Sequence, residues 1–200
     1  MEVKRRIAVG VGLSILVAGT IWLASRPHEL VSAARDLTGA MRDGDAARLM
    51  RYADPIEISA SDLTEEKIRR LWEVLVKPHL DSSRPLNTSS AQLESNGFQA
   101  SAALGYADHT GKPWKLATYV TRADGKPRTP LVYSMLSMSS CFDENERISS
   151  LTNESSLVGL HKYRAQLDSI GIRRIMLNPQ RVVTLDELDT IFQRHLRSEK

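Results

Sequence analysis

The spacing of hydrophobic residues changes along the chain, and each pattern predicts a different kind of structure. Residues 7–24 form one apolar run without a charged residue. From residue 30 to residue 75, apolar residues recur at intervals of three or four, which is typical of amphipathic helices. From residue 98 they alternate with polar or small residues, as in strands with one buried face. The pattern predicts an α+β protein with an N-terminal transmembrane helix.

Three helices are predicted between residues 30 and 78. Gly44 should end the first, and Asp45 should cap the second because its carboxylate can accept hydrogen bonds from free backbone N–H groups. The third has two candidate caps, Asp62 and Thr64, and should close at Pro78. Their apolar stripes are Leu30, Ala34, Leu37 and Met41, then Ala46, Leu49 and Met50, and finally Ile68, Leu71, Trp72 and Leu75.

A curved antiparallel sheet of three or four strands is predicted to follow. Its strands should occupy residues 98–106, 114–121 and 131–139, with a weaker strand over residues 91–95. The dipeptide Asn96-Gly97 favours a hairpin between the weaker strand and the first. The helices are expected to pack on this sheet.

Turn-forming residues separate the later strands. Residues 108–113 and 123–127 contain Asp, Gly and Pro in turn order. Asp108-His109, the one adjacent pair of an acid and an imidazole, falls in such a turn, so we interpret Asp108 as a turn residue rather than a catalytic one. Residues 80–90 and 143–156 are predicted to be mobile loops.

Residues 27–200 are predicted to form a single domain in which residues 151–200 are a helical extension. An apolar stripe should end at Gly171, where a glycine can take the left-handed conformation that closes a helix. Thr184 and Glu187 have the spacing of a capping box before the last helix. The short apolar run from Ile172 to Leu177 fits either a strand or a helix. The first stripe is Leu160, Tyr163, Leu167 and Ile170, and the last is Leu185, Leu188, Phe192 and Leu196.

The first 26 residues are interpreted as a membrane anchor. A helix over residues 7–24 nearly crosses a hydrocarbon core of roughly 30 Å, so the lipid bilayer is the predicted partner of this run. The basic residues Lys4, Arg5 and Arg6 precede it, which predicts a cytoplasmic N-terminus and a C-terminal domain that is periplasmic or extracellular.

A cleaved signal peptide is the alternative for this segment, and it would give a secreted protein. Trp22 and Leu23 lie where a cleavage site needs small residues, which favours the anchor. Cleavage after Gly19 stays open.

Charge and cysteine content narrow the classes of function. The formal net charge is +3, and the first 26 residues hold four basic residues against one acidic residue. The remainder is therefore formally neutral, which argues against a nucleic-acid-binding surface. Cys141 is the only cysteine, so the predicted external domain has no intrachain disulfide, and we expect a buried thiol.

Part of the chain resembles a known superfamily. A long helix, Gly44-Asp45, a short helix and then an antiparallel sheet are similar to the nuclear-transport-factor-like superfamily over about residues 29–143. That superfamily includes ketosteroid isomerase and many small bacterial domains. The resemblance implies a cone in which the sheet wraps a long helix and leaves a pocket. It is carried by Ala34, Leu37, Met41, Gly44, Asp45, Ala46, Leu49 and Tyr52.

Motifs for known chemistry are absent from the sequence. The five histidines have no metal-ligand spacing, and no glycine-rich phosphate loop or nucleophile motif occurs, so we expect no cofactor and no metal. Aromatic residues are the candidates for lining a pocket, and we name Tyr106, Tyr119, Tyr133, Trp72 and Trp114.

Three hypotheses of function remain. The preferred one is a membrane-anchored, non-catalytic external domain that binds a partner protein or a small apolar ligand. The second is a pocket enzyme similar to ketosteroid isomerase, for which a buried acid or histidine facing Tyr106, Tyr119 or Tyr133 is the discriminating observation. The third is docking of residues 157–198 onto another membrane protein, which an exposed apolar stripe on that tail would favour.

Overall fold

The fold is α+β, with helices around a four-stranded antiparallel sheet and a separate two-stranded sheet. It was established from a computed structural model, which describes residues 28–143, 153–178 and 180–198. The helices are α1 (28–43), α2 (Ala46–Met50), α3 (Pro55–Ser61), α4 (Glu65–Leu75), α5 (Lys77–Asp81), α6 (Leu131–Asp143), α7 (Asn153–Ile170) and α8 (Leu185–Ser198). The strands are β1 (Ser83–Leu93), β2 (Gln99–Asp108), β3 (Pro113–Ala123), β4 (Lys126–Arg128), β5 (Arg174–Asn178) and β6 (Arg181–Thr184).

The predicted caps of the first two helices are confirmed. Gly44 follows α1 with φ +67°, a backbone conformation that glycine adopts without a steric penalty. The carboxylate of Asp45 accepts a hydrogen bond from the N–H of Arg48 at 3.0 Å, as a cap of α2 should. Asp36 on α1 then accepts bonds from Arg48 and from the hydroxyl of Tyr52, both at 2.7 Å. These contacts fix α2 beside α1.

The region after α2 contains two short helices that the sequence did not predict. Helix α2 ends at Met50, and Asp54-Pro55 begins α3, with the Asp54 carboxylate accepting the N–H of Ile56 at 2.8 Å. Of the two candidate caps of α4, Thr64 is the one used. The prediction that Pro78 closes this helix is wrong, because α4 ends at Leu75 and Pro78 lies in the first turn of α5, where its missing N–H costs nothing.

The main sheet has the strand order β1-β2-β3-β4, and all neighbours are antiparallel. The prediction of strands near residues 98–106 and 114–121 is confirmed by β2 and β3. The prediction of a mobile loop over residues 80–90 is wrong, because most of these residues belong to β1. Their side chains are mostly polar and do not indicate a strand, but backbone pairing with β2 holds them in one.

The predicted strand over residues 131–139 is wrong, since these residues form the first turns of α6. Tyr133 therefore lies on a helix and not in the sheet. The run is buried on nearly every side, from Leu131 and Val132 to Met135 and Leu136, so the sequence shows no alternation that separates a strand from a helix. The fourth strand of the sheet is instead the three-residue β4.

The C-terminal segment is not purely helical, which corrects the prediction of a helical extension. Between α7 and α8 lies the antiparallel hairpin of β5 and β6, which also decides the open assignment of residues 172–177 in favour of a strand. The hydroxyl of Ser61 donates to the backbone oxygen of Arg174 at 2.8 Å, so the hairpin packs against α3. The capping box is confirmed, because Glu187 accepts the N–H of Thr184 at 2.7 Å.

The core lies between α1, the inner face of the sheet and the helices α4, α6 and α7. Helix α1 crosses the sheet on β3, and the hydroxyls of Thr38 and Thr118 meet at 2.7 Å inside this layer. In the tail, several described apolar side chains of α7, the hairpin and the start of α8 are buried, among them Leu167, Ile175 and Leu188. The side chains of Phe192 and Leu196, part of the last predicted stripe, lie outside the description.

Several predictions fall outside the described residues. They are the anchor or signal peptide within residues 1–26 and most of the expected loop over residues 143–156. The side chain of Cys141 is likewise outside the description. Among the helices that the structure describes, none combines the length and the apolar character needed to cross a membrane.

Candidate functional site

A cleft of about 310 Å³ opens between α1 and the strands β1 and β2. Arg35 and Thr38 contribute from α1, Ser89 to Ala91 from β1, and residues 102–104 from β2. This volume is at the lower end of the range of about 300 to 1,000 Å³ that is usual for small-molecule sites. The cleft is the candidate functional site of the described part of the chain.

An irregularity of β1 shapes one wall of the cleft. Pro85 pairs with Tyr106 and Ser89 pairs with Leu104, so three residues of β1 lie opposite one residue of β2. That one residue is Gly105, and a Cβ placed on it would come within 1.8 Å of the Thr88 hydroxyl. Bulges of this kind bend a strand and redirect its side chains, and Ser89 is the first residue after the bulge to line the cleft.

The inner end of the cleft is polar but fully hydrogen-bonded. Thr38 is buried, and its hydroxyl lies 2.8 Å from the backbone oxygen of Ala34 and 2.7 Å from the hydroxyl of Thr118. Thr118 also reaches the Ala34 oxygen at 3.4 Å. Because these groups satisfy one another, the base of the cleft is stable without a ligand.

Arg35 supplies the only charge among the residues that line the cleft. It lies one helical turn before Thr38, so its side chain projects over the same face of α1. Within the part of the chain that the structure describes, Arg35 makes no ion pair or hydrogen bond. A guanidinium group in this position can form two parallel hydrogen bonds with a carboxylate or phosphate.

A second unusual group is the carboxylate of Glu57, which is fully buried at 0 % exposure. Its two oxygens accept the N–H groups of Leu131 at 2.8 Å and Val132 at 3.0 Å. These donors begin α6 and have no partner within that helix, so Glu57 of α3 caps a helix that is distant in the sequence. Burial raises the pKa of Glu57 to about 8, while the two N–H bonds act in the opposite direction and the charge of Asp54 adds to the increase.

Tyr119 lies near Glu57, on β3. Burial raises the pKa of Tyr119 to about 12, a hydrogen bond with Ser134 lowers it, and the charges of Tyr133 and Glu57 add to the increase. A buried acid near Tyr119 is the arrangement that the enzyme hypothesis requires. Both oxygens of Glu57 are nevertheless engaged by backbone groups, and the carboxylate is closed to solvent.

The five aromatic residues proposed from the sequence do not form one site. Tyr106 and Trp114 pair across β2 and β3 with stacked rings whose centroids are 4.7 Å apart. Tyr119 and Tyr133 lie near the start of α6. Trp72 packs on Gly44, and its indole N–H donates to the backbone oxygen of Met41 at 2.6 Å. None of the five lines the cleft.

The residues of the cleft were not identified from the sequence. Arg35 is one of several polar residues on α1, and the sequence predicts a loop at Ser89 and Ser90. The one available signal was the spacing of Arg35 and Thr38 by three residues on a helix, which places them on one face but does not show what they face.

The sequence-based interpretation of Asp108 as a turn residue is confirmed. Its carboxylate accepts the N–H groups of Thr110 and Lys112, both at 2.9 Å, and so closes the turn between β2 and β3. Across the described ranges, no three His, Cys, Asp or Glu side chains come together in a way that could hold a metal ion.

Comparison with known proteins does not place the chain in a family. No family model matches it, and neither a curated protein nor a solved structure gives a significant match.

Proposed function

We propose that this protein is a membrane-tethered, non-catalytic external domain that binds a small organic anion in the cleft between α1 and the strands β1 and β2. The observation that carries the proposal is Arg35, a cation without a partner among the described residues, on the rim of a ligand-sized cleft. The tether is supported by the apolar run of residues 7–24 and by the basic residues before it.

The lining of the cleft limits the chemistry of the ligand. The lining residues include no acid, so an anion meets no repulsion from them. The hydroxyls of Ser89 and Ser90 can donate further hydrogen bonds, while Ala91, Ala102 and Leu104 offer methyl groups. A molecule with one carboxylate or phosphate and a short apolar portion fits this combination.

The architecture supports a nuclear-transport-factor-like fold as part of the same proposal. A long helix lies on an antiparallel sheet, and the cleft is between them, as that superfamily implies. The three-residue β4 and the helix α6 in place of a longer strand depart from the implied cone. The fold analogy concerns architecture, and the ligand is inferred from the cleft alone.

The ligand proposal can be tested with two probes that differ only in charge. We suggest saturation-transfer NMR on the full chain in nanodiscs, with butyrate as the anion and butyramide as the neutral analogue. Butyrate should give the stronger signal, and Arg35→Gln should reduce it several-fold. Arg70→Gln is the matched control, because Arg70 is an exposed helical arginine outside the cleft. Equal signals from both probes, or a butyrate signal unchanged in Arg35→Gln, would contradict the proposal.

The pocket enzyme remains a second candidate because of one observation, the buried Glu57 near Tyr119. Glu57 is closed to solvent, so it would act as the base only after release from the N–H groups of Leu131 and Val132, with Tyr119 as the hydroxyl donor to a carbonyl oxygen. The test is deuterium exchange next to the carbonyl of cyclohexanone. Exchange that is catalysed by the protein and lost in both Glu57→Gln and Tyr119→Phe would favour the enzyme, whereas no catalysed exchange supports the binding function.

A further inference from the structure

Phe98 is the most exposed large apolar side chain among those that the structure describes, at 70 % exposure. It follows the turn between β1 and β2. The side-chain oxygen of Asn96 accepts the N–H groups of Phe98 at 2.9 Å and of Gln99 at 3.2 Å, so the turn holds itself in shape. The ring is thus displayed at a fixed position and does not pack into the core.

This turn lies at the end of the domain where α1 begins. The backbone N–H of Arg122 donates to the backbone oxygen of Phe98 at 3.0 Å. The guanidinium of the same residue donates to Glu29, in the first turn of α1, at 2.9 Å. Farther along α1, Thr38 meets Thr118 of β3, so the helix runs away from Phe98 and antiparallel to β3.

The start of α1 is close in sequence to the apolar run. Three residues separate Ala24, the last residue of the run, from residue 28. The four steps from one Cα atom to the next over this stretch reach at most about 14 Å. If the tether is present, the start of α1 lies within about 14 Å of the end of the apolar run, so the end of the domain that displays Phe98 is the end near the bilayer, and this step rests on the proposed function.

We propose that the turn of residues 96–98 is a membrane-contacting tip, and that Phe98 inserts into the interfacial region of the bilayer. Aromatic and aliphatic side chains presented in this way bind the boundary between headgroups and acyl chains. Charged residues of both signs lie beside the tip, because Arg122 donates to the backbone oxygen of Phe98 and pairs with Glu29. The contact is therefore apolar and does not depend on anionic lipid.

The test measures the depth of two labelled positions in the full chain. Cys141→Ser removes the native thiol, and an environment-sensitive NBD label is then attached to Phe98→Cys or to Lys112→Cys in phosphatidylcholine vesicles. Lys112 lies in the turn at the other end of β2 and β3, about 30 Å away for strands of this length. Both positions are in exposed turns, so neither substitution disturbs the core.

We expect several-fold stronger quenching by lipid-attached doxyl groups at position 98 than at position 112, and stronger quenching by aqueous iodide at position 112. Flotation of the vesicles tests the tether separately. Protein that floats but is quenched equally at both positions overturns the tip and leaves the tether in place. Protein that does not float overturns the tether and the tip together.

Discussion

The buried carboxylate of Glu57 gives the sharpest prediction about stability. Replacing it with glutamine keeps the size and one acceptor oxygen but removes the charge. Burial raises the pKa of Glu57 to about 8 from an ordinary value of 4.5. Between these two values the native protein holds a proton that the unfolded chain has released. The stabilising effect of this proton is complete below about pH 4.5 and is lost as the pH rises to about 8.

The magnitude follows from the two pKa values. At 1.36 kcal/mol per pKa unit, the full loss is about 5 kcal/mol above pH 8, and about 3 kcal/mol of it falls between about pH 5.5 and pH 8.5. Carboxylates with lowered pKa values, such as that of Asp36, titrate below this window. Glu57→Gln carries no titratable group, but it has one acceptor oxygen for two backbone N–H groups, so at about pH 5.5 the variant should be the less stable protein by about 1–3 kcal/mol. Between about pH 5.5 and pH 8.5 the wild type should lose about 3 kcal/mol relative to the variant.

The assay is urea denaturation of both full-length proteins in detergent micelles, followed by tryptophan fluorescence, to which Trp72 and Trp114 of the folded domain contribute. The histidines are the same in both proteins, so their contribution to the pH dependence cancels when one free energy of unfolding is subtracted from the other. If the two N–H bonds from Leu131 and Val132 keep the carboxylate charged throughout, the variant will be less stable by a constant amount. A constant difference across the window would refute the reasoning.

Three further predictions concern packing and topology. Gly44→Ala should lower the free energy of unfolding by about 2–3 kcal/mol in the same urea denaturation, because the new Cβ would lie 2.8 Å from Trp72 and φ is positive. Gly111→Ala is the control and should cost about 1 kcal/mol, because φ is positive there but the space around the new Cβ is open. Thr38→Val should cost about 1–2 kcal/mol by removing the bond to Thr118, whereas Thr38→Ser should retain most of the stability. A reporter enzyme that works only outside the cytoplasm should be active when fused to the C-terminus, and an inactive fusion would contradict the proposed orientation.

Sequence reasoning was most successful where an element has one buried and one solvent-exposed face. The helices α1 and α4 and the strands β2 and β3 are such elements, and their apolar periods identified them. Caps and turns were also readable, since Asp45, Thr64 and Asp108 act on backbone groups within four residues of themselves. These features depend on local contacts, which the sequence displays directly.

The candidate site was not readable in the same way. Its charged group lies on α1, and its hydroxyls lie on a strand more than fifty residues later, within a segment that looked like a loop. The aromatic residues that the sequence favoured were drawn into packing contacts instead, as the stacked Tyr106 and Trp114 show. Only the pairing of β1 with β2 brings Ser89 to the face that α1 covers.

The sequence by itself determined the α+β class, the local caps and turns, and the formal charge balance. The tertiary structure decided what residues 131–139 become and where the cleft lies. Residues 131–139 of α6 are buried on nearly every side, so no contrast of apolar and polar residues marks them, and the first N–H groups of α6 are capped by Glu57, 74 residues before Leu131. The first N–H groups of this buried helix have no partner within the helix. Their acceptor, Glu57, is distant in the sequence and reaches them only once the chain has folded.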